Sequence, residues 1–152
     1  MPLFSGEYPS TVDDKNRIIL PAKLRQAAGR DGEAGYYVTR GVEKCLYIQT
    51  AARFEESAAA RLDERIRHTR AGRKMERAIF SKAEPGKCDR QGRFLLPAKL
   101  LQALGISREV MIVGVFDRIE VWDRAVWEKE DAENQSQLEQ RNEEVYGGSE
   151  EA

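Results

Sequence analysis

Two arginines each stand four residues after an aspartate, in Asp13-Asp14-Lys15-Asn16-Arg17 and Asp89-Arg90-Gln91-Gly92-Arg93. An arginine side chain is a planar fork of N–H donors that grips a phosphate or takes O6 and N7 of guanine together. An aspartate that opens a short loop accepts the backbone N–H groups following it. Asn16 aligns with Gly92, and these residue types accept positive φ most readily, so both pentads are expected to make one tight turn with a left-handed residue before the arginine. Such a turn would hold Arg17 and Arg93 as projecting cations, with Lys15 and Arg90 beside them. The alternative is that Asp13–Arg17 and Asp89–Arg93 are ion pairs that only staple the turn, and the sequence leaves both readings open. Lys23, Arg25 and Lys99, just downstream, are candidates for phosphate contact against the plainer reading of solvated charges.

The turns belong to a longer repeat. Residues 13–29 and 89–105 align at a constant offset of 76 (89 − 13) with ten of seventeen positions identical, where chance would give about one. Each copy reads as an extended segment, the turn, a strand, a short helix and a hairpin. In the first copy the run Arg17-Ile18-Ile19-Leu20 stops at Pro21, which suits the first turn of a helix over 21–28 capped by Gly29. The second copy repeats this with Arg93-Phe94-Leu95-Leu96, a helix over 97–104, and Gly105. Hairpins are expected from 36–40 with 45–49 and from 110–114 with 119–123, joined by polar turns at 41–44 and 116–118. A long alanine-rich helix should follow the first hairpin, with Phe54, Ala58, Leu62 and Ile66 as an apolar stripe. Asp123 is placed to cap a last helix carrying Val126 and Trp127, and the chain is expected to fray from about Glu143. The resulting division is a first repeat over 5–50, a helical connector over 51–77, a second repeat over 78–124, and a helix with acidic tail over 125–152.

The chain has 152 residues, 41% of them hydrophobic and 34% charged, with a formal net charge of −1. Two units of this size are marginal alone, so they are expected to pack on each other or on other subunits. Charge is unevenly placed. Eight lysines and arginines lie between Arg61 and Lys82 against Asp63, Glu64 and Glu76, whereas nine acids from Glu128 onward face only Lys129 and Arg141. Cys45 and Cys88 occupy non-equivalent places in the repeat, so no disulfide framework follows. His68 is the only histidine, which leaves histidine-based triads and His-rich metal sites without material. No signal peptide or membrane-spanning run is visible, and a soluble cytoplasmic protein is expected.

The motifs Phe4-x-Gly6-Glu7-Tyr8, Asp13-x-Lys15-x-Arg17, Leu20-Pro21-Ala22-Lys23-Leu24-Arg25, Asp89-x-x-Gly92-Arg93 and residues 113–122 (VGVFDRIEVW) occur in one order. Together they closely resemble the MraZ transcriptional regulators over about residues 1–130. The resemblance implies an α+β fold of two tandem AbrB-like swapped-hairpin units, forming a pseudo-dimeric, β-barrel-like core with flanking helices. It further implies a homo-oligomeric ring of about eight subunits, association with the nucleoid, and binding to direct repeats in the promoter of the bacterial division and cell wall gene cluster. In that family the D-x-x-x-R elements contact DNA, which selects Arg17 and Arg93, with Lys15 at the basic position of the first motif and Gln91 at that of the second. The family usually has Gly where Asn16 stands, and a His shortly before the first motif where this chain has Pro9-Ser10-Thr11.

Three functions are thereby ranked. First is a sequence-specific DNA-binding regulator, without cofactor, metal, membrane or small-molecule substrate. Second is a protein-binding scaffold or antitoxin-like module, for which the acidic tail is the main feature. An enzyme comes last, because the cysteines lack a neighbouring histidine and no carboxylates form a distinctive pair.

Overall fold

The computed structural model describes residues 3–61 and 64–147. It contains an antiparallel six-stranded sheet and a separate two-stranded ribbon, with helices around them. The first copy contributes β1 (Glu7–Thr11), β2 (Arg17–Ile19), α1 (Ala22–Ala34), β3 (Tyr36–Arg40) and β4 (Leu46–Thr50). The connector forms α2 (Ala51–Arg61), α3 (Glu64–Arg67) and α4 (Arg70–Phe80). The second copy supplies β5 (Glu84–Gly86), β6 (Arg93–Leu95), α5 (Ala98–Ala103), β7 (Glu109–Val115) and β8 (Arg118–Asp123), followed by α6 (Arg124–Ser136) and α7 (Leu138–Tyr146).

The sheet order is β1-β7-β8-β4-β3-β5. Exchanging each strand for its counterpart in the other copy returns the same order reversed, so the sheet has an internal pseudo-two-fold. Each copy's first strand pairs with the other copy's hairpin: β1 with β7, Glu7 opposite Val113, and β5 with β3, Tyr36 opposite Gly86. This is the expected swapped-hairpin arrangement. The core is an open sheet with β1 and β5 as its edges; it does not close into a barrel.

Burial explains the layering. One face of the sheet packs against the ribbon, α1 and α5 through Leu24, Val38, Ile48, Leu100, Ile112 and others, with Ile18 and Phe94 entering from the ribbon at 1% and 0% exposure. Truncating a buried Leu, Ile or Phe of this kind to Ala typically costs about 2–5 kcal/mol. The opposite face is covered by α6, whose Val126 and Trp127 meet Cys45, Tyr47, Met111, Val113 and Trp122.

Three local features depart from the sequence-based expectation. The long connector helix is broken: Phe54 and Ala58 are half-buried in α2, Ile66 is exposed in α3, and Leu62 lies outside the described residues. The reason is a restart at Thr69, whose Oγ1 accepts the Gly72 N–H at 2.9 Å and caps α4. Helical geometry in α1 ends at Gly29, with φ of 56°, but a further helical turn carries the element on to Ala34. The chain does not fray at Glu143, since α7 runs through Tyr146; residues 148–152 lie outside the described part.

Candidate nucleic-acid interface

Both pentads fold into the same turn. In the first, Asp13 Oδ1 accepts the backbone N–H groups of Lys15 and Arg17, each at 2.9 Å, and Oδ2 accepts Arg17 Nε at 2.9 Å. In the second, Asp89 Oδ1 accepts the N–H groups of Gln91 and Arg93 at 2.9 Å, and Oδ2 accepts Arg93 Nε at 2.6 Å. The Asn16 N–H reaches the Asp13 carbonyl, and the Gly92 N–H the Asp89 carbonyl, both at 3.0 Å. Asn16 has φ of 62° and Gly92 of 82°, the left-handed geometry that these residue types tolerate. Asp13 and Asp89 thus bond the backbone of their turns, and Asn16 and Gly92 hold the left-handed position in each.

These hydrogen bonds lower the pKa of both carboxyl groups, with different leading causes. For Asp13 the largest contribution is the Arg17 backbone N–H; for Asp89 it is the Arg93 side chain. The stapling ion pairs are present in both turns. They engage only Nε of each guanidinium, and the terminal Nη1 and Nη2 groups have no partner among the described residues. A guanidinium anchored by Nε retains its outer fork for a phosphate or a guanine edge. Stapling and recognition are thus compatible in one side chain.

The ribbon sets the two arginines relative to each other. Strands β2 and β6 pair antiparallel with Arg17 opposite Leu95, Ile18 opposite Phe94 and Ile19 opposite Arg93. Strand side chains alternate between faces, so Ile18 and Phe94 point into the core while Arg17, Ile19, Arg93 and Leu95 share the outer face. Arg17 and Arg93 lie on one diagonal of that face, a separation of about 7–8 Å. The Gly92 carbonyl accepts the Leu20 N–H and the Asn16 carbonyl accepts the Leu96 N–H, each at 2.8 Å. Each turn is thereby tied to the strand end that leads into the other copy's helix.

Cations from both copies consequently meet at each end of the ribbon. Lys15 and Arg17 lie near the start of α5, which carries Lys99; Arg90 and Arg93 lie near the start of α1, which carries Lys23 and Arg25. Lys15, Arg90, Lys23 and Lys99 are exposed and make no ion pair among the described residues. Arg25 differs from the rest. Its Nε donates to the Leu20 carbonyl at 3.0 Å, and its guanidinium carbon lies 3.0 Å from where a Cβ on Gly92 would stand. It packs on the second turn as well as adding charge. The repeat alignment puts Leu101 in the corresponding place of the second copy.

Two clefts flank the ribbon, of about 410 and 350 Å³. They are related by the repeat: Ala22, Gln26 and Asp89 in one correspond to Ala98, Gln102 and Asp13 in the other. Where the first has Arg25 and Cys88, the second has Leu101 and Val12. Burial pushes the thiols of both Cys45 and Cys88 up, which keeps them protonated at neutral pH. Among the described residues no three histidine, cysteine or carboxylate groups gather as a metal site, and no helix is long and apolar enough to cross a membrane.

Sequence reasoning missed the exposure of Ile19 and Leu95, having taken each strand as one compact apolar run. Three consecutive apolar residues in each strand, 18–20 and 94–96, carry no alternation that would have shown it.

Comparison with known proteins places this sequence in a family. The family model described as "MraZ protein, putative antitoxin-like" matches residues 3–74 and 79–146. Proteins named "Transcriptional regulator MraZ" are similar along most of the chain. That of Moorella thermoacetica is 36% identical over 141 residues, 90% of this chain and 92% of the relative. That of Finegoldia magna is 35% identical over 127 residues, covering 84% and 85% of the two chains. That of Micrococcus luteus is 35% identical over 150 residues, covering 96% and 99%.

Proposed function

The chain belongs to the MraZ family, and from that premise we propose that it is a transcriptional regulator that binds double-stranded DNA with the outer face of the β2–β6 ribbon. The observation that carries this is the pairing of two Nε-anchored arginines on one exposed ribbon face, each with its outer fork unpartnered. A two-stranded antiparallel ribbon fits the major groove, which is about 12 Å wide. Arg17 and Arg93 are the base-reading groups, while Lys15, Arg90, Lys23, Lys99 and the remaining charge of Arg25 face phosphates.

A single ribbon offers few contacts, so the regulator acts as a ring. Linked subunits turn later contacts into intramolecular ones at an effective concentration of about millimolar. Direct repeats in a promoter, those of the division and cell wall gene cluster by family likeness, then become the preferred target over isolated sites.

The test is fluorescence anisotropy on promoter duplexes bearing one or three repeats. Arg17→Ala with Arg93→Ala should weaken binding at least about 30-fold while the fold is kept, since each bidentate contact is worth about 1–3 kcal/mol. A folded double variant that binds like wild type sinks the proposal. Equal affinity for one and three repeats sinks the ring mechanism alone.

A second reading is favoured by the acidic helices α6 and α7, where Leu138 and Val145 are exposed beside Glu139, Glu143 and Glu144. It makes this arm a protein contact. A stoichiometric protein partner lost on deleting residues 137–152, with DNA binding intact, would support it.

A further inference from the structure

The outer ribbon face presents four side chains, and the proposed DNA contact uses two of them. The others, Ile19 and Leu95, are 59% and 62% exposed, while Ile18 and Phe94 on the inner face are almost wholly buried. The core therefore does not need an aliphatic side chain at either outer position. Each stands directly opposite an arginine: Ile19 faces Arg93, and Leu95 faces Arg17. The same alternation occurs in both copies, although Ile19 and Leu95 differ in identity, as do Ile18 and Phe94. What the two halves share here is the class of side chain.

We propose that Ile19 and Leu95 read the 5-methyl groups of thymines lying next to the bases read by Arg93 and Arg17. This inference rests on the reading of the ribbon as the DNA-contacting face. On the major-groove edge the thymine methyl is the apolar group of a base pair, and aliphatic contact with it is a recognised means of discrimination. Spacing agrees. Directly opposed strand residues have Cβ atoms about 4.5–5.5 Å apart and diagonal ones about 7–8 Å, against a base rise of about 3.4 Å per step. Arginine and aliphatic partners can thus address neighbouring bases, and each diagonal pair spans about two steps.

The charge around the face selects this occupant. Lys15, Arg90 and the two unpartnered arginine forks surround Ile19 and Leu95, whereas Asp13 and Asp89 are each committed to an arginine. A partner that neutralises these cations and offers small apolar groups between them is a thymine-bearing duplex. An apolar protein surface would leave the cations unpaired.

The experiment uses duplexes enriched by the full-length protein from a random pool, resynthesised with deoxyuridine in place of thymidine. The substitution keeps base pairing and phosphate charge and removes only the methyl groups. Wild type should bind the uracil duplex about four-fold more weakly for each methyl contacted, with the salt dependence unchanged. Ile19→Ala with Leu95→Ala should bind the thymine and uracil duplexes alike, and Ile19→Val with Leu95→Ile should retain the preference. Equal binding of both duplexes by wild type, or a preference that survives in the alanine variant, overturns the inference. So does an alanine variant whose subunit number falls in native mass spectrometry, since the face would then be a contact between copies. A pool that yields no bound duplex overturns the DNA reading beneath it, which is a separate result.

Discussion

The two arginine turns share one hydrogen-bonded skeleton and differ in what lies over it. In both, an aspartate takes two backbone N–H groups and the arginine Nε, and a left-handed residue precedes the arginine. Over the second turn rests the Arg25 guanidinium, against Gly92; at the first, Leu101 and Asn16 border the same cleft. A Cβ on residue 92 would press on the cationic head of Arg25, 3.0 Å away, and sit on a left-handed backbone, whereas asparagine is accommodated at 16. The backbone bonds that place the arginines are common to both halves. The cover is where they have diverged, making one end of the ribbon more cationic and the other more apolar.

The largest test of this difference is to transplant one turn into the other. Gly92→Asn should cost about 1–2 kcal/mol in urea unfolding, from the left-handed backbone and the displaced guanidinium. In an Arg25→Leu background the share due to the guanidinium should disappear and only the left-handed-backbone share remain, as a coupling between neighbours would require. Equal costs in the two backgrounds would mean that Arg25 does not select the glycine.

A smaller effect concerns the filling, Lys15 in one turn and Gln91 in the other. Gln91→Lys should steepen the slope of log affinity against log salt by about 1, and Lys15→Gln should flatten it by the same amount. Unchanged slopes from titrations at several salt concentrations would remove both positions from the phosphate-contact set.

The smallest effect is in titration. Both carboxyls fall below their ordinary value of 3.8, so the stabilising contribution of each staple is fully present above that value and is lost as pH falls through the folded value. Binding should not change on this account between pH 5 and 8. Because the Arg93 side chain leads at Asp89 and the Arg17 backbone leads at Asp13, Arg93→Gln should raise its partner's pKa more than Arg17→Gln does. Carboxyl-carbon NMR titration would show the order, and the reverse order would contradict the geometry.

Much of this was legible in residue types. Asn16 against Gly92 announced the left-handed position, Pro21 and Pro97 the helix starts, and the offset of 76 the pseudo-symmetry. Local chemistry decides those features, and local chemistry is written in neighbouring letters. What escaped is decided at a distance. The inward turning of Ile18 and Phe94 depends on a pairing between strands 76 residues apart (93 − 17). The seat of Arg25 on Gly92 depends on the same pairing. The break before α4 was local, signalled by Thr69 and Gly72 but masked by the four-residue apolar stripe, and the tail's polarity read as disorder although its side chains pair within the helix, as Arg141 does with Glu144.

The interleaved sheet also governs when the protein can first exist. Glu7 in β1 pairs with Val113 in β7, 106 residues later (113 − 7), and at ribosomal speeds of about 5–20 residues per second that strand waits roughly 5–20 s for its partner. The first copy meanwhile leaves the ribosome with an open sheet edge and an unmatched half-ribbon, able to pair with the same half of another nascent chain. A gene encoding one copy could have made a working homodimer by that route. With both copies in one chain the partner arrives on the same molecule, and the two halves can carry different covers.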